Sequence, residues 1–328
     1  MKFETKNLNQ SMVWLITGAA GFIGSHLIDY LLENNQKVIG IDNFINGKKE
    51  NITYIENKHA SNINNFSFYD IDIRSNEVGN LFSGVDFVLH QAALGSVPRS
   101  FKEPEIFNEI NINGFVNVLK ASINSNVKSF VYASSSSVYG DCDNLPQEES
   151  MIGNPLSPYA FSKRSNEVYA DFYETTMRIC GLRYFNVFGL RQDPDGEYAA
   201  VIPKWIQNFK QNREVHIYGD GLISRDFCYI KNVIQANILA AINPNLEKSE
   251  IFNIACGAKI TLNDLSILIK DIINENNDEP TNSAILHKDS RHGDIIHSYA
   301  DISKAKKILN YNPLYSVKDG LRELISQL

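Results

Sequence analysis

Residues 13–24, VWLITGAAGFIG, constrain the fold of this chain more than any other stretch. An apolar run leads straight into Gly18, Gly21 and Gly24, and an apolar-periodic segment follows through Phe22, Ile23, Leu27, Ile28, Leu31 and Leu32. That order reads as strand, phosphate loop and helix. Glycines let the chain turn tightly and let a pyrophosphate approach the backbone, where the free N–H groups and dipole of a helix start favour negative charge. The next apolar run, Val38 to Ile41, ends in Asp42 at the tip of a second strand. An acid there accepts hydrogen bonds from a ribose 2′-hydroxyl and repels a 2′-phosphate, so loop and acid together predict NAD rather than NADP.

Further runs at Phe66 to Tyr69, Val85 to His90, Phe130 to Ala133 and Ile179 to Phe185 predict more strands. Helical periodicity spans Pro104 to Asn124 and Tyr159 to about Thr175. Strands alternating with helices predict an α/β fold, a Rossmann-type doubly wound parallel sheet. The character changes after Gly189, where RQDPDGEYA at 191–199 is polar and the segment from Val201 to Asn212 is helical again. The expected division is an NAD-binding domain at 12–189 with 226–245, and a smaller, discontinuous α/β substrate-binding lobe at 190–225 with 246–328.

Composition narrows the partners. With 43% hydrophobic and 21% charged residues the chain is an ordinary globular protein, and its net charge of -7 argues against a nucleic-acid surface. Cys142, Cys180, Cys228 and Cys256 are scattered without CxxC spacing, which predicts reduced thiols and no metal site. The first twelve residues lack the apolar core of a signal peptide, and no stretch is apolar enough to span a bilayer, so a cytoplasmic location is expected.

The chemistry concentrates near Tyr159 and Lys163, which at i and i+4 lie on one helix face. Ser135 and Ser136 end the preceding strand and can approach that face. An ammonium beside a phenol favours the phenolate, so Tyr159 is expected to titrate below its ordinary range and to act as acid or base, with Ser135 holding the substrate oxygen. Ala92, Ala93 and Gly95 leave room for a cofactor at a strand end. Asp72 and Ile73 either meet an adenine or merely end a strand, and His90 reads as packed rather than catalytic. In the smaller lobe, Trp205 and Tyr218 offer aromatic surfaces. Arg225 and Arg291 suit either a diphosphate or surface ion pairs, and Asp294 either a ribose hydroxyl or its own turn.

These residues carry a resemblance. The chain resembles the extended short-chain dehydrogenase/reductase family and, within it, the nucleotide-sugar 4-epimerases, through TGAAGFIG at 17–24, DNF at 42–44, DIR at 72–74, HQAALGSVPRS at 90–100, SSSSVYG at 134–140, SPYAFSK at 157–163, LRYFNVFG at 182–189 and GDGLISRDFCYI at 219–230. The GxxGxxG spacing of the loop, distinct from GxGxxG, agrees with the YxxxK chemistry. The resemblance implies Ser135, Tyr159 and Lys163 as catalytic residues, with Ser136 assisting. It implies an NAD site made by Gly18, Gly21, Phe22, Ile23, Asp42, Asn43, Phe44, Asn46, Gly47, Asp72, Ile73, Gln91, Ala92, Ala93, Asn111, Tyr159, Lys163 and Tyr184. For a UDP-sugar it implies Gly95, Ser96, Ser135, Ser136, Tyr159, Asn186, Gln192, Ala200, Val201, Trp205, Tyr218, Arg225, Arg291, Asp294 and Ser298.

The implied reaction interconverts UDP-N-acetylglucosamine and UDP-N-acetylgalactosamine through a transient 4-keto sugar, with the uronates and UDP-glucose as neighbouring substrates. Ser298 falls where some relatives specific for non-acetylated sugars carry a tyrosine, so its small side chain leaves volume for an N-acetyl group. Related 4,6-dehydratases place an Asp-Glu pair where this chain has Ser136 and Ser137, whereas a uronate decarboxylase is less firmly excluded. A non-catalytic NAD sensor would have no need of Ser135, Tyr159 and Lys163 together. The resemblance also implies a homodimer formed through the helices at 104–124 and 159–175.

Overall fold

A computed structural model of the chain describes residues 8, 10–173, 177–194, 200–246, 249–275, 279–290 and 297–328. Seven strands form the central sheet: β1 (Val13–Thr17), β2 (Lys37–Asp42), β3 (Phe66–Asp70), β4 (Phe87–His90), β5 (Ser129–Ser135), β6 (Arg178–Tyr184) and β7 (Glu250–Ile254). They lie in the order β3-β2-β1-β4-β5-β6-β7, every neighbouring pair parallel. The order reverses between β1 and β4, the place where a doubly wound sheet opens a crevice at its carboxyl edge.

Both faces of the sheet are covered, which explains the unbroken apolar runs. Trp14 and Ile16 of β1 point into one core, with Leu27 and Ile28 of helix α1 (Phe22–Glu33), while Leu15 between them points into the other, with Phe115 and Val118. Helix α2 (Pro158–Asp171) begins on a Ser157 cap that accepts from the Ala160 N–H at 3.0 Å, with Pro158 in its first turn. Helix α3 (Val201–Lys210) belongs to the smaller lobe. Helix α4 (Ile230–Ile242) returns beneath the main sheet against α1, β5 and β6, and is buried nearly all round.

Two departures from the sequence reading bear on function. Glu250–Ile254, expected in the smaller lobe, is the outermost strand of the main sheet and pairs with β6, so the chain crosses back once more than anticipated. The expected helix at 104–124 contains a wide π turn, Asn108–Gly114, between α-helical Pro104–Phe107 and Phe115–Asn124. Asn111 explains why the turn is held. Its Oδ1 accepts from the Leu94 N–H (2.8 Å), and its Nδ2 donates to the Leu94 carbonyl (3.0 Å) and to Ser162 of α2 (3.0 Å). Such segments recur where a helix must place a side chain off its normal register.

The smaller lobe is a set of short strands around α3. Val215–Tyr218 pairs in parallel with Ile285–Lys288, and Ser224–Arg225 lies between Ile260–Thr261 and His297–Ser298. Asp226 ties this lobe to the main sheet, its carboxylate accepting N–H groups from Cys256 and Gly257 at 2.9 Å and from Ala258 at 3.2 Å. Burial nevertheless dominates and pushes its pKa up to about 6. Among the described residues no helix is long and apolar enough to cross a membrane.

Candidate active site

Two cavities open at the carboxyl edge of the sheet. The first, about 370 Å3, is lined by Gly18, Gly21, Phe22 and Ile23 of the loop and α1, by Asp42, Asn43, Asn46 and Gly47 after β2, by Asp72 and Ile73 after β3, and by Gln91, Ala92, Ala93 and Gly95 after β4. Its floor admits no side chains. Gly18 has φ +69, and a Cβ there would lie 2.8 Å from the Ala92 nitrogen; one on Gly24 would lie 2.0 Å from the Gly18 oxygen. No side chain caps α1 at Gly21, so its first N–H groups are left for an anion.

Asp42 receives the Ala20 N–H (3.0 Å) and the Phe44 N–H (2.8 Å), which fix the carboxylate while leaving lone pairs for hydroxyl donors. Burial raises its pKa. Asp72 is held below the ordinary range by Arg74, which donates Nη2 to Oδ2 at 2.7 Å, while Asn43 donates to the same oxygen at 2.8 Å. A dinucleotide fits this site: anion-binding N–H groups at one place, a fixed acid at another, and small residues between.

Phe44, Asn111, Tyr159, Lys163 and Tyr184, expected among the cofactor residues, do not line this cavity. Phe44 turns to Phe68 (ring centroids 5.4 Å). Asn111 secures the π turn. Tyr184 lies beneath the cavity, its hydroxyl 3.1 Å from Gln91 Oε1 and 2.8 Å from Asn237 Nδ2, with burial raising its pKa.

Ser135 and Tyr159 hydrogen-bond to each other at the end of β5, and Lys163 is held on the same strand through the Ala133 carbonyl. They stand on or beside β5, flanked by β4, whose following residues line the first cavity, and by β6, whose following residues line the second. Lys163 is buried and donates Nζ to the Ala133 carbonyl (2.7 Å); burial lowers its pKa to about 8. The Tyr159 ring packs edge-on against Phe107 (6.5 Å, 84°). The expected depression of the phenol is not found. Burial raises it, and the Ser135 hydroxyl is the group that pulls it down. Ser135 is itself anchored, accepting the Ser137 N–H at 3.1 Å, while Ser136 is half-buried beside it. His90 is structural. Its Nδ1 lies 2.8 Å from Thr17 Oγ1, its ring stacks on Phe130, and burial drops its pKa to about 3.

The second cavity, about 460 Å3, lies between the sheet and the smaller lobe and brings together Asn186, Ala200, Val201, Trp205, Tyr218 and Arg225. Asn186 has φ +35 and donates to the Asp226 carbonyl (3.0 Å), which places it beside Arg225. Ser298 stands opposite Arg225 in the strand register and donates to Gln147 Oε1 (3.4 Å). Ser96 caps the helix Val97–Lys102 by accepting the Arg99 N–H (3.2 Å). Gln192 is not brought to this cavity: its Nε2 turns back to the Val187 carbonyl (3.1 Å) and it lines a separate groove with Pro203 and Ile206. Arg291 and Asp294 lie outside the described residues.

Residues 14–255 match the NAD dependent epimerase/dehydratase family. The chain belongs to that family. A UDP-N-acetylglucosamine 4-epimerase from Methanobrevibacter ruminantium, solved with UDP-N-acetylmuramic acid, is 38% identical with a TM-score of 0.87 over 97% of this chain and 100% of that one. A UDP-glucose 4-epimerase from Thermotoga maritima, solved with UDP-glucose, is 37% identical with a TM-score of 0.85 over 96% and 98%. A UDP-glucuronic acid 4-epimerase from Bacillus cereus, solved with UDP-glucuronic acid and NAD, is 32% identical with a TM-score of 0.84 over 96% and 99%.

Several residues of this epimerase/dehydratase site escape sequence reasoning. Asn237 of α4 also accepts from Gln91 Nε2 (3.0 Å) and so orients a cavity residue, yet it sits in an apolar helix with no motif around it. Gln147 supports Ser298 from a loop. Lys204, Asn208 and His216 complete the second cavity; an i, i+4 spacing on α3 and alternation along Val215–Tyr218 were the available signals.

Proposed function

We propose that this family member is a 4-epimerase of UDP-N-acetylhexosamines, with NAD in the first cavity and the UDP-sugar in the second. The observation that supports the reading is that β5, which ends in Ser135 and carries the Tyr159 and Lys163 bonds, lies between β4, which leads into the first cavity, and β6, which leads into the second. Bound NAD would supply a hydride acceptor and donor for the sugar C4, together with the positive charge of its oxidised ring. Tyr159, as phenolate, takes the C4 hydroxyl proton while Ser135 donates a hydrogen bond to that oxygen, and Tyr159 returns the proton once the 4-keto sugar has presented its other face. Lys163 supplies fixed positive charge under the phenolate. The net change is an inversion at C4 without oxidation.

Acetylated sugars are favoured because Ser298 is small at a position where, as the resemblance implies, some relatives specific for non-acetylated sugars carry a bulky tyrosine. Ser136 and Ser137 provide no carboxyl acid and base for loss of water, which disfavours dehydration. The test is to incubate the purified protein, without added NAD, with UDP-N-acetylglucosamine, its uronate and UDP-glucose, and to resolve products by NMR. Fastest conversion of UDP-N-acetylglucosamine to the galacto epimer is expected. A 4-keto-6-deoxy product, or faster turnover of UDP-glucose, would overturn the assignment.

The exposed side of α2 supports a homodimer. Phe161, Val168, Tyr169 and Phe172 share one face there, and Phe172 is 74% exposed. Sedimentation at micromolar concentration should give a dimer for the unsubstituted chain and a monomer for Phe172→Asp; a monomer for both removes the dimer reading.

A further inference from the structure

The second cavity has a direction. At its inner end stand Asn186 and Arg225, next to Ser298 and just beyond β6. Tyr218 precedes Arg225 across the turn at 219–223, and His216 lies two residues further back on the same face of the strand, roughly 7 Å along it. The outer end is closed by α3, where Asn208, one turn beyond Lys204, donates Nδ2 to the Glu214 carbonyl (3.0 Å). A nucleotide sugar with its sugar at Tyr159 and its diphosphate near Arg225 therefore has its base beside His216. This step rests on the UDP-sugar reading above.

His216 is prepared for that position. Its Nε2 lies 3.1 Å from Glu214 Oε2. A carboxylate can only accept, so Nε2 carries the proton, and in the neutral ring Nδ1 is a bare acceptor. Among the described residues no group is bonded to Nδ1. A bare acceptor matches the N3–H of uracil and faces a lone pair on N3 of cytosine. We infer that His216, set by Glu214, is a specificity-determining residue that selects a base bearing an imide N–H. Lys204, which also lines the cavity, can donate to the O2 carbonyl that both pyrimidines share.

The experiment is calorimetric titration of the NAD-loaded protein with UDP and with CDP, ligands that share ribose and diphosphate. UDP should bind about tenfold or more tightly than CDP. In His216→Ala that ratio should fall toward unity through weaker UDP binding. His216→Gln, whose carbonyl can accept from N3–H, should restore part of it and guards against a folding defect in the alanine variant. An unchanged ratio in both variants overturns the role of His216 alone. Failure of the unsubstituted protein to bind UDP overturns the nucleotide-sugar reading, and this inference with it.

Discussion

Tyr159→Phe is expected to reduce epimerase turnover by about 10²–10⁴-fold while NAD content and melting temperature stay near those of the unsubstituted protein. The expectation follows from what phenylalanine keeps and what it loses. The ring still packs edge-on against Phe107, and α2 keeps its Ser157 cap, so the fold has no reason to change. The group lost is the hydroxyl that must take and return a proton. The same site predicts a pH profile. Lys163 is charged below its pKa of about 8 and neutral above it, so kcat/KM should fall as pH rises through that value. Burial already raises the Tyr159 phenol, and the alkaline side is where the buried Lys163 loses the charge that would favour an anion in this site. Turnover by Tyr159→Phe within tenfold of the unsubstituted rate would remove Tyr159 as the base.

What the sequence makes legible here is what depends on near neighbours. The strand, loop and helix at 13–33 are encoded by apolar period and by glycines that backbone oxygens crowd, and Asp42 ends its strand regardless of what packs around it. Tyr159 and Lys163 share a helix face by spacing alone. The less legible features depend on distant partners. The π turn exists because Asn111 bonds Leu94 and Ser162, residues far away in sequence. Glu250–Ile254 is an ordinary strand pattern, and only its pairing with β6 makes it part of the main sheet. The direction of the Tyr159 shift is hidden for the same reason: spacing places Lys163 on its face, but the burial that raises the phenol comes from distant packing. Gln192 likewise sits beside a matching motif and is turned away by Val187.

Glu167→Gln is expected to destabilise the fold by ~3–5 kcal/mol, the range for a buried ion pair with one partner removed. Glu167 is fully buried and Arg183 is 1% exposed; Arg183 donates Nε to Oε1 (2.8 Å) and Nη2 to Oε2 (3.0 Å). Ser134 donates to the same Oε1 at 2.7 Å, so the carboxylate joins α2, which carries Tyr159 and Lys163, to the residue before Ser135 and to β6. Arg183 continues outward, donating to the Glu149 carbonyl (2.9 Å) and lying 4.8 Å over the Tyr139 ring, whose hydroxyl bonds Asn253 of β7 at 2.6 Å. Neutral glutamine would leave a guanidinium charge buried without compensation and could not accept at both former oxygens. The melting temperature should fall by about 4–7 °C. The double variant Glu167→Met with Arg183→Met should be more stable than Glu167→Gln, because it removes the stranded charge along with its partner. At temperatures where Glu167→Gln remains folded, kcat should still drop, since Ser135 and Tyr159 are then no longer held from one point. A melting temperature within two or three degrees of the unsubstituted protein would mean that packing alone holds α2 against β5.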